Sequence, residues 1–160
     1  MHFHDLAHCV TLSFNGGNLR TLDRLQPLAL LVLRFALGVI MIAHGYPKVT
    51  GFPHFQSMIS GMGLPGWLAY LSAAAEFLGG ILVVLGLFTR CAALAILIDL
   101  SVAIWKIHWK AGLLGDKGYQ FPLSLVAIAF ALIFFGGGPM SLDSIRRGGG
   151  GGGGMKKSRS

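Results

Sequence analysis

Three ionisable side chains stand in the middle of apolar stretches: Arg34, Glu76 and Asp99. A charge at the centre of a bilayer costs about 2.5–3.5 kcal/mol on insertion scales, so each needs a partner or a task. Their signs allow them to partner one another, and a guanidinium suits bidentate pairing with a carboxylate. One Arg against two carboxyls leaves one negative charge over. Either a carboxyl carries a proton or a fourth group joins. A carboxyl held beside a charged pair is the arrangement that proton handling or quinone binding uses. The competing reading is a static polar clamp that orients helices.

A second set lies nearer the ends of the same stretches. His44 and Lys48 offer donors for the carbonyl oxygens of a quinone headgroup. Trp105, with Phe77 and Leu78, offers apolar wall for a ring and tail, as most ligand pockets combine apolar walls with a few placed polar groups. A bis-histidine haem would need His44 and His108 to face across a bundle. Both sit at the membrane edge, and Trp109–Lys110 follows His108 directly, so haem is not expected. Trp67, Tyr70, Trp105 and Trp109 near span ends read most simply as an interfacial aromatic belt. No metal site is expected: His2, His4, His8 and Cys9 match no standard zinc spacing. Cys9 and Cys91 form no C-x-x-C pair, which argues against thiol–disulfide exchange.

The elements that must position these groups are membrane helices. The chain has 160 residues, 54% of them hydrophobic and 12% charged. A soluble domain carries about 25% charged residues, and a chain this short cannot hide so much apolar surface in its own core. Four spans are predicted, at about 27–45, 66–88, 90–107 and 119–135, giving an all-α integral membrane four-helix bundle over residues 27–140. Pro27 suits a first helical turn. The link Tyr46–Pro65, punctuated by Gly51, Pro53, Gly61, Gly63 and Pro65, predicts turns around a short helix through Phe55–Ile59. Leu87–Arg90 is so short that the second and third spans must be antiparallel neighbours. At 1.5 Å per residue, Arg34 and Asp99 lie about 13 Å from the inner side and Glu76 about 18 Å. The reading therefore places all three charges together near mid-membrane. The small residues Ala73–Ala75, Gly79–Gly80, Gly86 and Ala92–Ala93 promise close helix contacts.

Orientation follows from basic residues. With the N-terminus inside, Arg20, Arg24, Arg90, Arg146, Arg147, Lys156, Lys157 and Arg159 are cytoplasmic, and Lys48, Lys106, Lys110 and Lys117 are outside. That excess favours a multi-pass protein of the plasma or inner membrane with both termini cytoplasmic. The net charge of +7 is accounted for by basic flanks on anionic lipid, and no nucleic-acid-binding fold is visible. Residues 1–26 read as a flexible tail, and 141–160 as a second one with seven glycines at Gly148–Gly154 and a basic tip.

Several local patterns together resemble the DoxX family. Arg34 followed by Gly38, then His44–Gly45 and Lys48, resembles its first span. Glu76, Gly79–Gly80, Leu85–Gly86–Leu87 and Thr89–Arg90 resemble its second span and turn. The resemblance covers residues 27–140. It implies a four-helix membrane bundle with a redox or stress-response association, the family name deriving from a subunit linked to thiosulfate:quinone oxidoreduction. The expected function is a membrane subunit of, or partner to, a quinone-linked oxidoreductase, with the lipid bilayer, a redox protein and a second copy of the chain as candidate partners. The alternative is a non-catalytic scaffold or assembly factor. The chain itself carries no nucleotide-binding motif and no Fe–S cysteine pattern.

Overall fold

The computed structural model describes residues 16–115 and 118–148. The histidine-containing segment at residues 2–9 and the glycine-rich tail beyond Gly148 lie outside the described residues. Among those described, the secondary structure is helical, with six α-helices. These are α1 Gly16–Thr50, α2 Phe52–Gly61, α3 Leu68–Leu85, α4 Thr89–Ala103, α5 Gln120–Phe135 and α6 Leu142–Gly148. α4 continues as a π-helical turn, Ile104–His108, and a 3-10 turn, Trp109–Ala111.

The protein is an all-α membrane bundle. Arg24–Thr50, Leu68–Leu85 and Thr89–Ala111 are long and apolar enough to cross a bilayer. α5 is a shorter apolar helix of 16 residues. Four long helices close into a ring: α1 packs most extensively on α3, α3 on α4, α4 on α5, and α5 back on α1. The shared core is built from Leu37, Met41, Val83, Ile96, Ala129 and Leu132, all fully buried. Phe35, Val39, Leu78, Ile98 and Phe134 project outwards. Lipid solvates such side chains as well as a core would, so their exposure costs nothing there.

The first helix departs from expectation. It begins at Gly16 and takes Pro27 and Pro47 inside it, so Pro27 does not open it. Its far end overruns the predicted 27–45 span and brings Lys48 onto the last turn. The connecting segment then forms α2 with a proline in its first turn. α2 packs Phe55 and Ile59 against Ala69 and Ala73 of α3.

Glycines set the α1–α3 crossing. A Cβ at Gly38 would stand 2.7 Å from the Gly80 carbonyl oxygen, and one at Gly45 would stand 2.6 Å from the Phe77 nitrogen. Both are far inside van der Waals contact, so backbone meets backbone at these two levels. Gly80 faces Ile42 in the same way, at 2.9 Å from its nitrogen. This is the small-residue packing that association in lipid relies on, where no hydrophobic drive pushes helices together.

Candidate functional site

The charged residues do not form one cluster. They separate into two polar layers at opposite ends of the bundle.

One layer, named inner after the side on which the basic residues lead it to be expected, is organised by Arg34, which is 1% exposed. Its guanidinium contacts neither Glu76 nor Asp99. It donates to four backbone carbonyls: Nε to Val83 at 3.0 Å, Nη2 to Val84 at 2.8 Å, and Nη1 to Gly137 at 3.0 Å and Met140 at 2.9 Å. Val83 and Val84 belong to the last turn of α3, where carbonyls lack helical partners and the helix dipole is negative. The local chain leaves both able to accept from Arg34, Val83 as a shared acceptor. α3 ends in a Schellman arrangement, with Leu87 N–H donating to Leu82 at 2.9 Å and Gly86 N–H to Val83 at 3.1 Å, closed by Gly86 at φ +70°. A Cβ on Gly86 would collide with the Arg34 guanidinium. The carboxylate acting on Arg34 through space is Asp143.

Asp143 is the residue that sequence reasoning missed at this end. It falls within the expected C-terminal tail, 141–160, yet it caps α4. Its Oδ1 accepts from Phe88 N–H at 2.9 Å, and its Oδ2 accepts from Thr89 N–H at 2.9 Å and Thr89 Oγ1–H at 3.0 Å. Its own N–H donates to the Gly86 carbonyl at 2.9 Å. Two backbone donors at the start of α4 are the signal: they need an acceptor, and no side chain at Phe88 or just before it in Gly86–Leu87 supplies one. Arg90 donates to the Phe134 carbonyl at 3.0 Å, tying α4 to the end of α5.

The outer layer holds the other charges. Lys48 Nζ lies 2.7 Å from Glu76 Oε2, with the two side chains 25% and 5% exposed. Among the described residues, that oxygen has no donor besides the ammonium. Lys48 also sits 4.8 Å from the Phe55 ring centroid, so one ammonium joins α1, α2 and α3. Asp99 of α4 faces the Ser72 and Glu76 side chains within hydrogen-bonding reach, and Lys48 acts on it through space. Lys48 thus takes the place expected of Arg34, and the layer still sets one cation against two carboxyls.

Beside this layer lies an open cavity of about 420 Å3 between α2, α3 and α4. Its polar lining comes from Lys48, Ser72, Asp99 and Lys106. The rest is apolar, including Phe55, Met58, Ile59, Leu68, Leu71, Ile98 and Val102. Of the expected ligand-binding residues, Lys48 lines it and His44 and Trp105 do not. His44 is exposed and packs its ring 5.9 Å from that of Phe121. Trp105 is 66% exposed with the Lys106 ammonium over its ring at 4.4 Å. Among the described residues, no group of three His, Cys, Asp or Glu side chains could hold a metal ion.

The geometry can be set beside known proteins. The DoxX family model matches residues 29–109, a stretch that contains Arg34, Lys48, Glu76 and Asp99. The chain belongs to the DoxX family. A Bacillus subtilis (strain 168) protein named "Putative oxidoreductase CatD" is 35% identical over 102 residues, 64% of this chain and 76% of that protein. The Escherichia coli (strain K12) "Inner membrane protein YphA" is 31% identical over 126 residues, covering 74% of this chain and 90% of its own length. A second protein of that organism, "Inner membrane protein YqjF", is 33% identical over 73 residues, 46% of this chain and 56% of its own. No solved structure matches the chain. The family match stops before α5, α6 and Asp143, so the match takes in Arg34 and its α3 acceptors but only part of the inner clamp.

Proposed function

We propose that this DoxX-family protein is the membrane subunit or partner of a quinone-linked oxidoreductase and that the cavity beside Lys48, Glu76 and Asp99 receives the quinone. The observation that carries the reading is the joining of a buried charged layer to an apolar cavity of about 420 Å3. Ligand pockets span about 300–1,000 Å3 and pair apolar walls with a few polar groups. The residues present suit the group. Ser72, Asp99 and Lys48 reach the wall where ring oxygens would lie, and Leu71, Ile98 and Val102 flank a ring and the start of a tail. Bound there, a quinone would supply two-electron redox chemistry, while the electrons enter from a partner that carries the redox centre. The name of the Bacillus relative points the same way. Titration of the purified protein in lipid nanodiscs with a short-chain quinone analogue tests the reading. Saturable binding that Asp99→Asn and Leu71→Trp both weaken at least tenfold supports it. Absence of binding, or binding indifferent to both substitutions, removes it.

The second reading is a scaffold or assembly factor, and the Arg34 clamp favours it. Four carbonyls, two of them buried and two partly buried, accept from one side chain and tie α1, α3 and the segment after α5 together. Co-purification of a stable membrane complex that survives Asp99→Asn would support this second reading.

A further inference from the structure

We propose that Asp99 and Glu76 hold one proton between them, so that the Lys48–Glu76–Asp99 layer is electrically neutral, and that Asp99 presents this proton to an acceptor oxygen of an uncharged ligand in the cavity. The inference rests on the proposed ligand site but makes a separate claim about the protein without ligand.

Three observations carry it. First, the two carboxyls face one another within hydrogen-bonding reach. Two carboxylates are acceptors only, and a bond between them requires a proton on one. Second, the groups that act on Asp99 are Ser72 and Glu76 of α3 and Lys48 of α1. Lys48 is committed at 2.7 Å to Glu76, so a single positive charge offsets a single negative one. α2 contributes Phe55 to this contact, over whose ring the ammonium lies, and no charge. Lys106 of α4 opens on the same cavity, but its ammonium lies over the Trp105 ring, a side chain two-thirds exposed. A second bare carboxylate would stand uncompensated in an apolar surround, which costs several kcal/mol and more than keeping a proton does. Third, Asp99 lines the cavity while Glu76 does not. Glu76 is the inner member, bonded to Lys48, and Asp99 is the member a ligand meets.

The arrangement selects by charge. A neutral molecule bearing a carbonyl acceptor accepts the Asp99 O–H and leaves the layer neutral. An anion would bring a net negative charge, and a cation a net positive one unless the proton departs. No bond other than this hydrogen bond forms on binding, so nothing else has to be supplied for it.

Infrared spectroscopy of the full chain in lipid vesicles at neutral pH, in H2O and D2O, decides the matter. The expected wild-type signature is a protonated-carboxyl C=O band with a deuterium shift. Asp99→Asn should abolish it, because Glu76 remains ionised against Lys48. Glu76→Gln should abolish it too, because Asp99 then becomes the partner of Lys48. Lys48→Met should retain or strengthen it, because the positive charge that sustains one ionised carboxyl is gone. Asp99→Glu, the conservative change, should keep the band at a displaced frequency. Absence of the band in the wild type overturns the proposal whatever the variants do. So does a band that persists in both Asp99→Asn and Glu76→Gln, which would belong to another carboxyl. Addition of the short-chain quinone analogue should displace the band. A band unmoved by a quinone that binds overturns the presentation to ligand. A wild-type band with no quinone binding supports the shared proton and removes only the quinone reading.

Discussion

Arg34 and Lys48 are two solutions to the same difficulty, a cation at membrane depth. Arg34 spends its planar fork on carbonyls at 2.8–3.0 Å, a geometry that an ammonium cannot copy. Arg34→Leu removes a donor from all four carbonyls; Val83 keeps the Gly86 N–H, and each of the others that finds no replacement costs about 1–3 kcal/mol. We expect it to lower stability by several kcal/mol in denaturant titrations followed by circular dichroism, and Arg34→Lys to restore less than half of the loss. Because Arg34 touches neither carboxyl, a double-mutant cycle of Arg34→Leu with Glu76→Gln should return a coupling energy within about 0.5 kcal/mol of zero. Lys48→Met and Glu76→Gln should behave in the opposite way. Each alone breaks the 2.7 Å ion pair at a cost that Asp99 offsets only in part, and the double substitution should be more stable than the sum of the single losses predicts. A cycle without coupling would contradict the 2.7 Å ion pair. The presence of three charges within apolar helices was legible in the sequence. Their grouping was not. Every Cβ in a helix tilts towards that helix's N-terminus. On antiparallel α1 and α3, the Arg34 and Glu76 side chains therefore diverge towards opposite ends, which a count of residues along each span leaves out.

At the scale of elements, glycine placement and capping decide how helices meet. Gly38 and Gly45 put α1 directly against the α3 backbone. Gly45→Val should force the helices apart at the level of Phe77 and cost about 1–3 kcal/mol by overpacking. The same helices carry Lys48 and Glu76, so that substitution should also weaken their coupling in the cycle described above. Asp143 holds the first amides of α4 from a helix more than fifty positions further along the chain. Asp143→Ala should cost about 0.5–2 kcal/mol, as cap removals do. Hydrogen exchange should quicken at Phe88 and Thr89 and stay unchanged at Ile96 in the core. The all-α bundle of apolar helices was readable from composition and length alone, but this cap was not. An acceptor supplied across so large a separation leaves no local pattern, unlike the Gly86 stop of α3, which is written in the turn itself. The extra length of α1 was also hidden, because Pro27 reads as a helix start and the packed bundle tolerates it inside.

For the whole molecule, the two polar layers define two ends with different work. The outer end holds the cavity, the ion pair and α2. The inner end is closed by α6, the Arg34 clamp and the glycine turn at Gly136–Gly138. With the basic residues favouring a cytoplasmic inner end, cysteines placed at Ser57 and Ile145 should label from opposite faces of intact cells by membrane-impermeant maleimide. Labelling of both from one face would refute the topology.

The inner clamp also has a schedule. Val83 and Val84 lie 49 and 50 positions after Arg34, and Gly137 and Met140 lie 103 and 106 after it. At bacterial or eukaryotic synthesis speeds of about 5–20 residues per second, the last acceptor emerges about 5–20 s after the guanidinium does. Until then the nascent chain holds a partly served cation that favours the translocon, water or headgroups over lipid. The first helix is thereby kept waiting for the last loop. A ribosome that stops early releases a chain with a visible defect, and a membrane protease that surveys exposed charge has a means of telling the unfinished protein from the finished one.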